Sequence, residues 1–400
     1  MKTLLASLLI ATPVFATEYI IRYEDNYSLK SFPSAQPLNL KVGNFAKVTS
    51  NDKSFMQKAS SMPGVLYVEE NHTYYALTRD AEFTKQWGLN NDGKNSGGFL
   101  SRGVVGKDIG ALEAWKMTKG SRDIKIAVID TGVDYNHVDL KNNIMINTDE
   151  IPGNNIDDDN NGYIDDVYGY NFANNTNNPM DGHGHGTHCA GVIGAEHNSI
   201  GVAGVMAHVK ILPVKFLSDS GSGTLEGALK SIDYAISRGV HIMSNSWGGG
   251  PRSEALFEVI QKAEQAGILF VAAAGNSRAN NDTTPTFPAN YEIDSMVSVG
   301  AMDGKGQRAS FSNFGAKMVH VFAPGVDTFS TVQGNNYKKM SGTSMACPHV
   351  AGIAGLILAQ EPNLTPLEVK MRLMNTANRG DDLRSSTASG YVRADRALKN

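Results

Sequence analysis

Residues 124–132 read IKIAVIDTG, an apolar run closed by an aspartate, a threonine and a glycine. A run apolar at nearly every position suits a strand buried on both faces. Four further runs share this character: VKILPVK (Val209–Lys215), VHIMSNSW (Val240–Trp247), ILFVAAAG (Ile268–Gly275) and MVSVGA (Met296–Ala301). Between them, Thr224–Arg238 and Arg252–Ala266 carry apolar residues at the helical period. Strand–helix alternation of this kind implies an α/β fold, with a mostly parallel sheet covered on both faces. In such sheets ligands bind beyond the carboxyl ends of the strands. Asp130, Ser246 and Asn276 fall at such ends.

Three segments carry chemistry in the order Asp, His, Ser: IAVIDTG around Asp130, GHGTHCAG around His185 and SGTSMACPHVAG around Ser344. A serine hydroxyl is a weak nucleophile until an imidazole takes its proton. The imidazole in turn needs a carboxylate to fix its tautomer and stabilise its cationic form. The three segments together imply a serine peptidase. Taken alone, each has another reading. The DTG at Asp130 also suits an aspartic peptidase, in which two such carboxylates share a proton, or a structural turn aspartate. His183, His185 and His188 invite a zinc site, yet H-E-x-x-H is absent and the glycine spacers suit close backbone approach better. Ser344 alone could be a plain helix N-cap.

The residues after Ser344 are apolar on nearly every face, which predicts a helix through the core. Proline is tolerated in a first helical turn, so Pro348 places Ser344 at the helix start. Free amides and the helix dipole there favour an oxyanion. Asn276, ending ILFVAAAGN, could add a side-chain amide to it; a turn asparagine is the plainer reading.

The 400 residues allow one large domain and a small one, and 41% hydrophobic with 19% charged residues excludes disorder and fibres. A formal charge of -4 argues against general nucleic-acid or membrane-surface binding. Lys2, the apolar run Leu4–Ile10 and Val14-Phe15-Ala16 describe a secretory leader cut after Ala16. A buried N-terminal strand is the alternative. No later apolar stretch of membrane length is expected. A small separate unit follows, with strands at Glu18–Tyr23 and Gly64–Asn71 and a helix within Asp52–Ser61. Cys189 and Cys347 allow at most one disulfide and read as small core residues, with a Cys–His nucleophile pair as the alternative.

The stretch DDDNNGYIDD (Asp157–Asp166) sets oxygen side chains at alternate positions before a glycine, like the first two-thirds of an EF-hand loop. Asp157, Asp159, Asn161 and Asp165, with the carbonyl of Tyr163, would hold calcium, and Asp166 is a further candidate. A simply solvated acidic loop is the alternative.

With DTG, HGTH, AAGN and GTSMA in this order, residues 80–400 resemble the subtilisin-like serine peptidases, or subtilases. The resemblance implies a three-layer α/β domain preceded by a small α+β propeptide domain. It makes Asp130 the residue that orients the base, His185 the general base and acid, Ser344 the nucleophile, and Asn276 an oxyanion donor beside the Ser344 amide. It also implies that Gly221, Ser222 and Gly223, with Ser246, Trp247 and Gly248, hold the substrate as an added strand. The pocket before the scissile bond would be lined by Ser246, Trp247, Gly248, Ala273, Ala274 and Gly275, with Thr286 shortening it. A second calcium site is implied at Asp139 and Asn198 with the carbonyls of Glu196, Ile200 and Val202.

The expected product is a secreted, monomeric endopeptidase of broad specificity, extracellular or periplasmic, acting on polypeptides. Residues 1–16 would be the leader and 17–79 an intramolecular inhibitor, released by cleavage between about Leu77 and Lys85. No surface anchoring is expected, since no further domain is read after Asn400. A catalytically inactive subtilase fold that binds a partner is the alternative.

Overall fold

The computed structural model describes residues 17–24, 29–52, 54–71, 80–94 and 103–399. The expected leader, residues 1–16, and most of the junction around residue 77 lie outside the described residues. The chain separates into two compact units, Met1–Leu77 and Thr78–Asn400.

In the first unit, strand Thr17–Tyr23 lies between Asn44–Ser50 and Val65–Glu70, with the short strand Gln36–Pro37 on the outer edge, all antiparallel. Ile21 and Val48 meet Phe32 and Ala59 in a small core. The helix forms at Phe55–Ser60. Asn44–Ser50 has no counterpart among the expected strands. Its inward residues are only Ala46 and Val48, too weak an alternation to stand out.

The second unit is built on a sheet of nine strands among the described residues. Their order is Asn378–Arg379, Gly390–Tyr391, Val321–Pro324, Met296–Met302, Leu269–Ala273, Ile242–Asn245, Gly120–Asp130, His208–Lys215 and Tyr170–Asn171. All neighbours are parallel except the pair Asn378–Arg379 and Gly390–Tyr391. Each of the five expected strands is present. Val321–Pro324 is additional, and with four residues ending in proline it carries little strand signal.

One core packs helices His185–Gly194 and Thr343–Gln360 on one face of the sheet, and a second packs Leu225–Ser237 and Glu254–Gln265 on the other. The domain therefore has three layers. Both outer helices start on hydroxyl caps, Thr224 accepting from Gly227 N and Ser253 from Leu256 N.

Helix Thr343–Gln360 runs through the core as its composition predicts. By length and hydropathy it could cross a membrane, contrary to expectation, but 83% of it is buried inside the protein. It lies close to the loop before strand His208–Lys215, since a Cβ on Gly352 would come within 2.7 Å of Val205 Cβ. Pro348 corrects the expectation drawn from it: it is the sixth helical residue, not a first-turn one. Its missing N–H leaves the Ser344 carbonyl without a helical donor. Ser246 Oγ donates to that carbonyl at 2.8 Å and Cys189 Sγ at 3.5 Å. Ser344 still sits in the first turn, one residue after Thr343, with Gly342 as N-cap.

Candidate active site

Asp130 ends its strand, and its side chain is 1% exposed. Its Oδ1 lies 2.7 Å from His185 Nδ1 and accepts from Thr131 N at 2.7 Å. Its Oδ2 is buried and has no partner among the described residues. His185 opens helix His185–Gly194 after Gly184, whose φ of +96° suits glycine. Gly186 lets that helix approach closely, because a Cβ there would lie 2.1 Å from the Gly132 carbonyl. Burial alone would lower the imidazole pKa; the charge and hydrogen bond of Asp130, with the charge of Asp181, raise it overall.

Ser344 Oγ donates to the Ser246 carbonyl at 3.2 Å. The Asp130–His185 pair is thus formed, while the serine hydroxyl is engaged by Ser246. No hydrogen bond joins Ser344 Oγ to His185 among the described residues; catalytic hydrogen bonds commonly tighten only when substrate is bound. Exposed Asn276 accepts through Oδ1 from Thr343 N at 2.8 Å and Thr343 Oγ1 at 3.0 Å. Its NH2 group is left to donate elsewhere. Sequence reading passed over Thr343, although it sits inside the GTSMA motif.

A cleft of about 700 Å³ is lined by Thr131, His183, His185, Ser220–Gly223 and Ser246–Gly248, with apolar walls from Phe216, Leu225, Leu256 and Phe287. The two expected substrate strips therefore share one cleft with the imidazole. Ala273, Ala274 and Gly275 do not line it. Ala273 and Ala274 are buried, and the Ala274 carbonyl accepts from Asn281 and Asn313 side chains at 3.0 Å each. Thr286 lies beside Gly275: its Cγ2 would be 3.3 Å from a Cβ there.

The three histidines do not converge. His188 is buried, with Nε2 bonded to the carbonyls of Thr328 and Lys338 at 3.0 and 3.1 Å. Asp130, His185 and Cys189 bring ligand atoms within 4.8 Å of one another, with His185 Nδ1 already on Asp130 Oδ1 at 2.7 Å and Cys189 Sγ donating to the Ser344 carbonyl at 3.5 Å. Cys189 and Cys347 are both free and buried.

The acidic loop differs from the expected ligand set. Asp165 turns back to Gly153 N and Asn155 N, at 2.7 and 3.1 Å. Asp157 accepts from Asn161 N and Gly162 N. Asn161 Oδ1 accepts from Tyr163 N. Instead Glu150, Asp159 and Asp166 bring oxygens within 4.8 Å of one another. Arg238 Nη1 sits 2.8 Å from Asp159, and Asn147 and Asn161 amides serve Asp159 and Asp166. These donors compete with a cation for the same carboxylate oxygens.

Asp139 is different. It is 0% exposed; Oδ2 accepts from Val202 N at 2.9 Å while buried Oδ1 has no hydrogen-bond partner among the described residues. Burial pushes its pKa up to about 6 against the Val202 amide and the Tyr337 and Asn198 side chains. Asp80, which sequence reading missed in a stretch without pattern, adds a second buried carboxylate to this loop by accepting from Asn198 N and Ser199 N. An unsatisfied buried carboxylate oxygen beside a second carboxylate fits a hard divalent cation.

The subtilase family profile matches residues 121–392. The chain is 40% identical over 261 residues to subtilisin DY of Bacillus licheniformis, covering 65% of this chain and 85% of that protein. It is 36% identical over 302 residues to thermitase of Thermoactinomyces vulgaris, covering 75% and 97%. It is 38% identical over 303 residues to subtilisin-like protease 1 of Plasmodium berghei, covering 71% of this chain and 51% of that relative. The chain thus spans about half the length of the last of these.

Proposed function

This chain belongs to the subtilase family, and from that premise we propose that it is a serine endopeptidase acting through Asp130, His185 and Ser344. The observation that carries the reading is the 2.7 Å contact between His185 Nδ1 and buried Asp130, at the edge of a cleft also lined by Ser246.

In the first step Ser344 Oγ leaves the Ser246 carbonyl, passes its proton to His185 Nε2 and bonds to the substrate carbonyl carbon. The developing oxyanion is met by Asn276 Nδ2 and Ser344 N. Asp130 stabilises the imidazolium, which then protonates the leaving amine as the C–N bond breaks. Water, deprotonated by His185, attacks the acyl carbon; the bond from that carbon to Ser344 Oγ then breaks, the carboxylic acid product leaves, and the proton returned by His185 restores the Ser344 hydroxyl. The backbones of Gly221–Gly223 and Ser246–Gly248 hold the substrate as an added strand, which tolerates many sequences. Among the described residues no acidic side chain lines the cleft, which favours cleavage after apolar or medium-sized residues over Arg or Lys.

The reading extends to a secreted zymogen: leader 1–16, inhibitory propeptide 17–79 and peptidase 80–400. Calcium held by Asp139, Asn198 and the carbonyls of Glu196, Ile200 and Val202 would clamp that loop against fraying. The test is a fluorophosphonate probe on the processed protein. Labelling of wild type and none of Ser344→Ala is expected; an unlabelled wild type refutes the reading and leaves an inactive binding fold.

A further inference from the structure

Asp181 lies four residues before His185 and is 3% exposed. Its carboxylate accepts five hydrogen bonds. Oδ1 takes Thr131 Oγ1, His183 N and Gly184 N, each at 2.9 Å. Oδ2 takes Thr187 N at 2.9 Å and Thr187 Oγ1 at 2.6 Å. A buried carboxylate with this many donors is held rigidly, because losing any of them leaves a buried polar group unpaired.

The donors come from two places far apart in sequence. Thr131 follows Asp130 directly; His183, Gly184 and Thr187 frame the start of the helix that carries His185. Gly184, the N-cap, has no side chain to satisfy the helix amides, and Asp181 does so in its place. Thr131 Oγ1 also accepts from Gly186 N at 2.9 Å, and Thr187 Oγ1 from Asp134 N at 2.9 Å. The turn after the catalytic carboxylate and the first turn of the imidazole helix are thus knotted through one side chain.

We propose that Asp181 is a positioning residue of the catalytic centre: it fixes the Asp130 turn against the His185 helix and so holds the imidazole on its carboxylate. It also places a second buried negative charge near the imidazolium that forms during acylation, without touching substrate. The charge of Asp181 is among the causes that raise the His185 pKa. The other groups around the imidazole are Asp130, the His183 ring with its centroid 6.2 Å away, His188 and the neutral thiol of Cys189. From the neighbouring strand, Lys215 donates to the Thr131 carbonyl and to Asp219.

This inference rests on the serine endopeptidase reading. Fluorophosphonate labelling of wild type tests that reading separately. The experiment here is Asp181→Asn in the full chain, with active-site titration, kcat, KM and the acid limb of kcat/KM measured on the processed enzyme. A carboxamide cannot accept at both ends and carries no charge. The expected result is a fall in kcat of about tenfold or more, KM within about twofold, and an acid limb moved to lower pH. A lowered melting temperature with kcat and acid limb unchanged would show a merely structural role and overturn the proposal. Should Asp181→Asn not fold, Thr131→Val and Thr131→Ser decide. The valine cuts the link while leaving the charge, so kcat falls with the acid limb in place, and serine restores it. Equal kcat in Thr131→Val and wild type would overturn the proposal.

Discussion

The carboxamide oxygen of Asn276 accepts from both the amide (2.8 Å) and the hydroxyl (3.0 Å) of Thr343, the residue before the nucleophile. This pair of bonds decides which end of the amide faces the reacting carbonyl. Asn276→Leu should lower kcat by about 100- to 1,000-fold with little change in KM, the range established for one oxyanion donor in subtilisin. Thr343→Val, which keeps the amide bond to Asn276 but removes the hydroxyl bond and the one that Thr343 Oγ1 accepts from Gly275 N at 3.1 Å, should cost less, about tenfold. Steady-state kinetics on a short peptide amide checks both. An unchanged kcat in Asn276→Leu would remove Asn276 from the oxyanion site.

Acid should unfold the protein through its buried imidazoles. Burial holds His188 and His320 at about 3 and His349 at about 4. Each ordinarily titrates near 6.5 when unfolded, so between these values the unfolded chain binds more protons than the native one. Stability therefore rises with pH in that window and is lost as pH falls from about 6.5 towards 4. Melting of Ser344→Ala, which avoids self-digestion, should show a steady fall in Tm from pH 7 to pH 4. His320→Gln, which removes one titrating group away from the cleft, should flatten the slope. A Tm independent of pH over this range would contradict the account.

Much of this was legible in the sequence because the signal was local. The apolar run before Asp130 could only be a doubly covered strand, and the segments around Asp130, His185 and Ser344 announce their chemistry within a few residues. What stayed hidden depends on distant partners. Pro348 reads as a first-turn residue because nothing in the sequence shows that Ser246 and Cys189 serve the carbonyl it strands. Asp181 looks like one more loop aspartate until Thr131 is found on its oxygen. Glu150 joins Asp159 and Asp166 only through the path of a loop without periodicity.

Specificity should respond to Thr286. Its Oγ1 accepts from Asn313 Nδ2 at 3.2 Å, which holds it beside Gly275. Replacing it by Gly removes three heavy atoms, Cβ, Oγ1 and Cγ2, at the expected end of the pocket. The ratio of kcat/KM for Phe over Ala before the scissile bond should rise about tenfold or more in Thr286→Gly. A peptide-library cleavage profile reads this directly, and an unaltered profile would place the pocket elsewhere.

Calcium dependence should converge on Asp139. The orphaned, buried Oδ1 makes the empty loop unfavourable with a charged carboxylate, and a bound divalent ion would satisfy it. A ligand at 100 times its Kd stabilises the native state by about 2.7 kcal/mol. Excess chelator should therefore lower the Tm of Ser344→Ala by several degrees, and added calcium should restore it. In Ser344→Ala carrying Asp139→Asn, the difference between chelator and calcium should shrink to near zero, because the amide removes the charge that recruits the ion. Asp165→Asn should leave most of that difference intact, since Asp165 already serves Gly153 and Asn155. If Asp165→Asn abolishes the calcium effect and Asp139→Asn does not, the ion belongs to the acidic loop and the assignment to Asp139 fails.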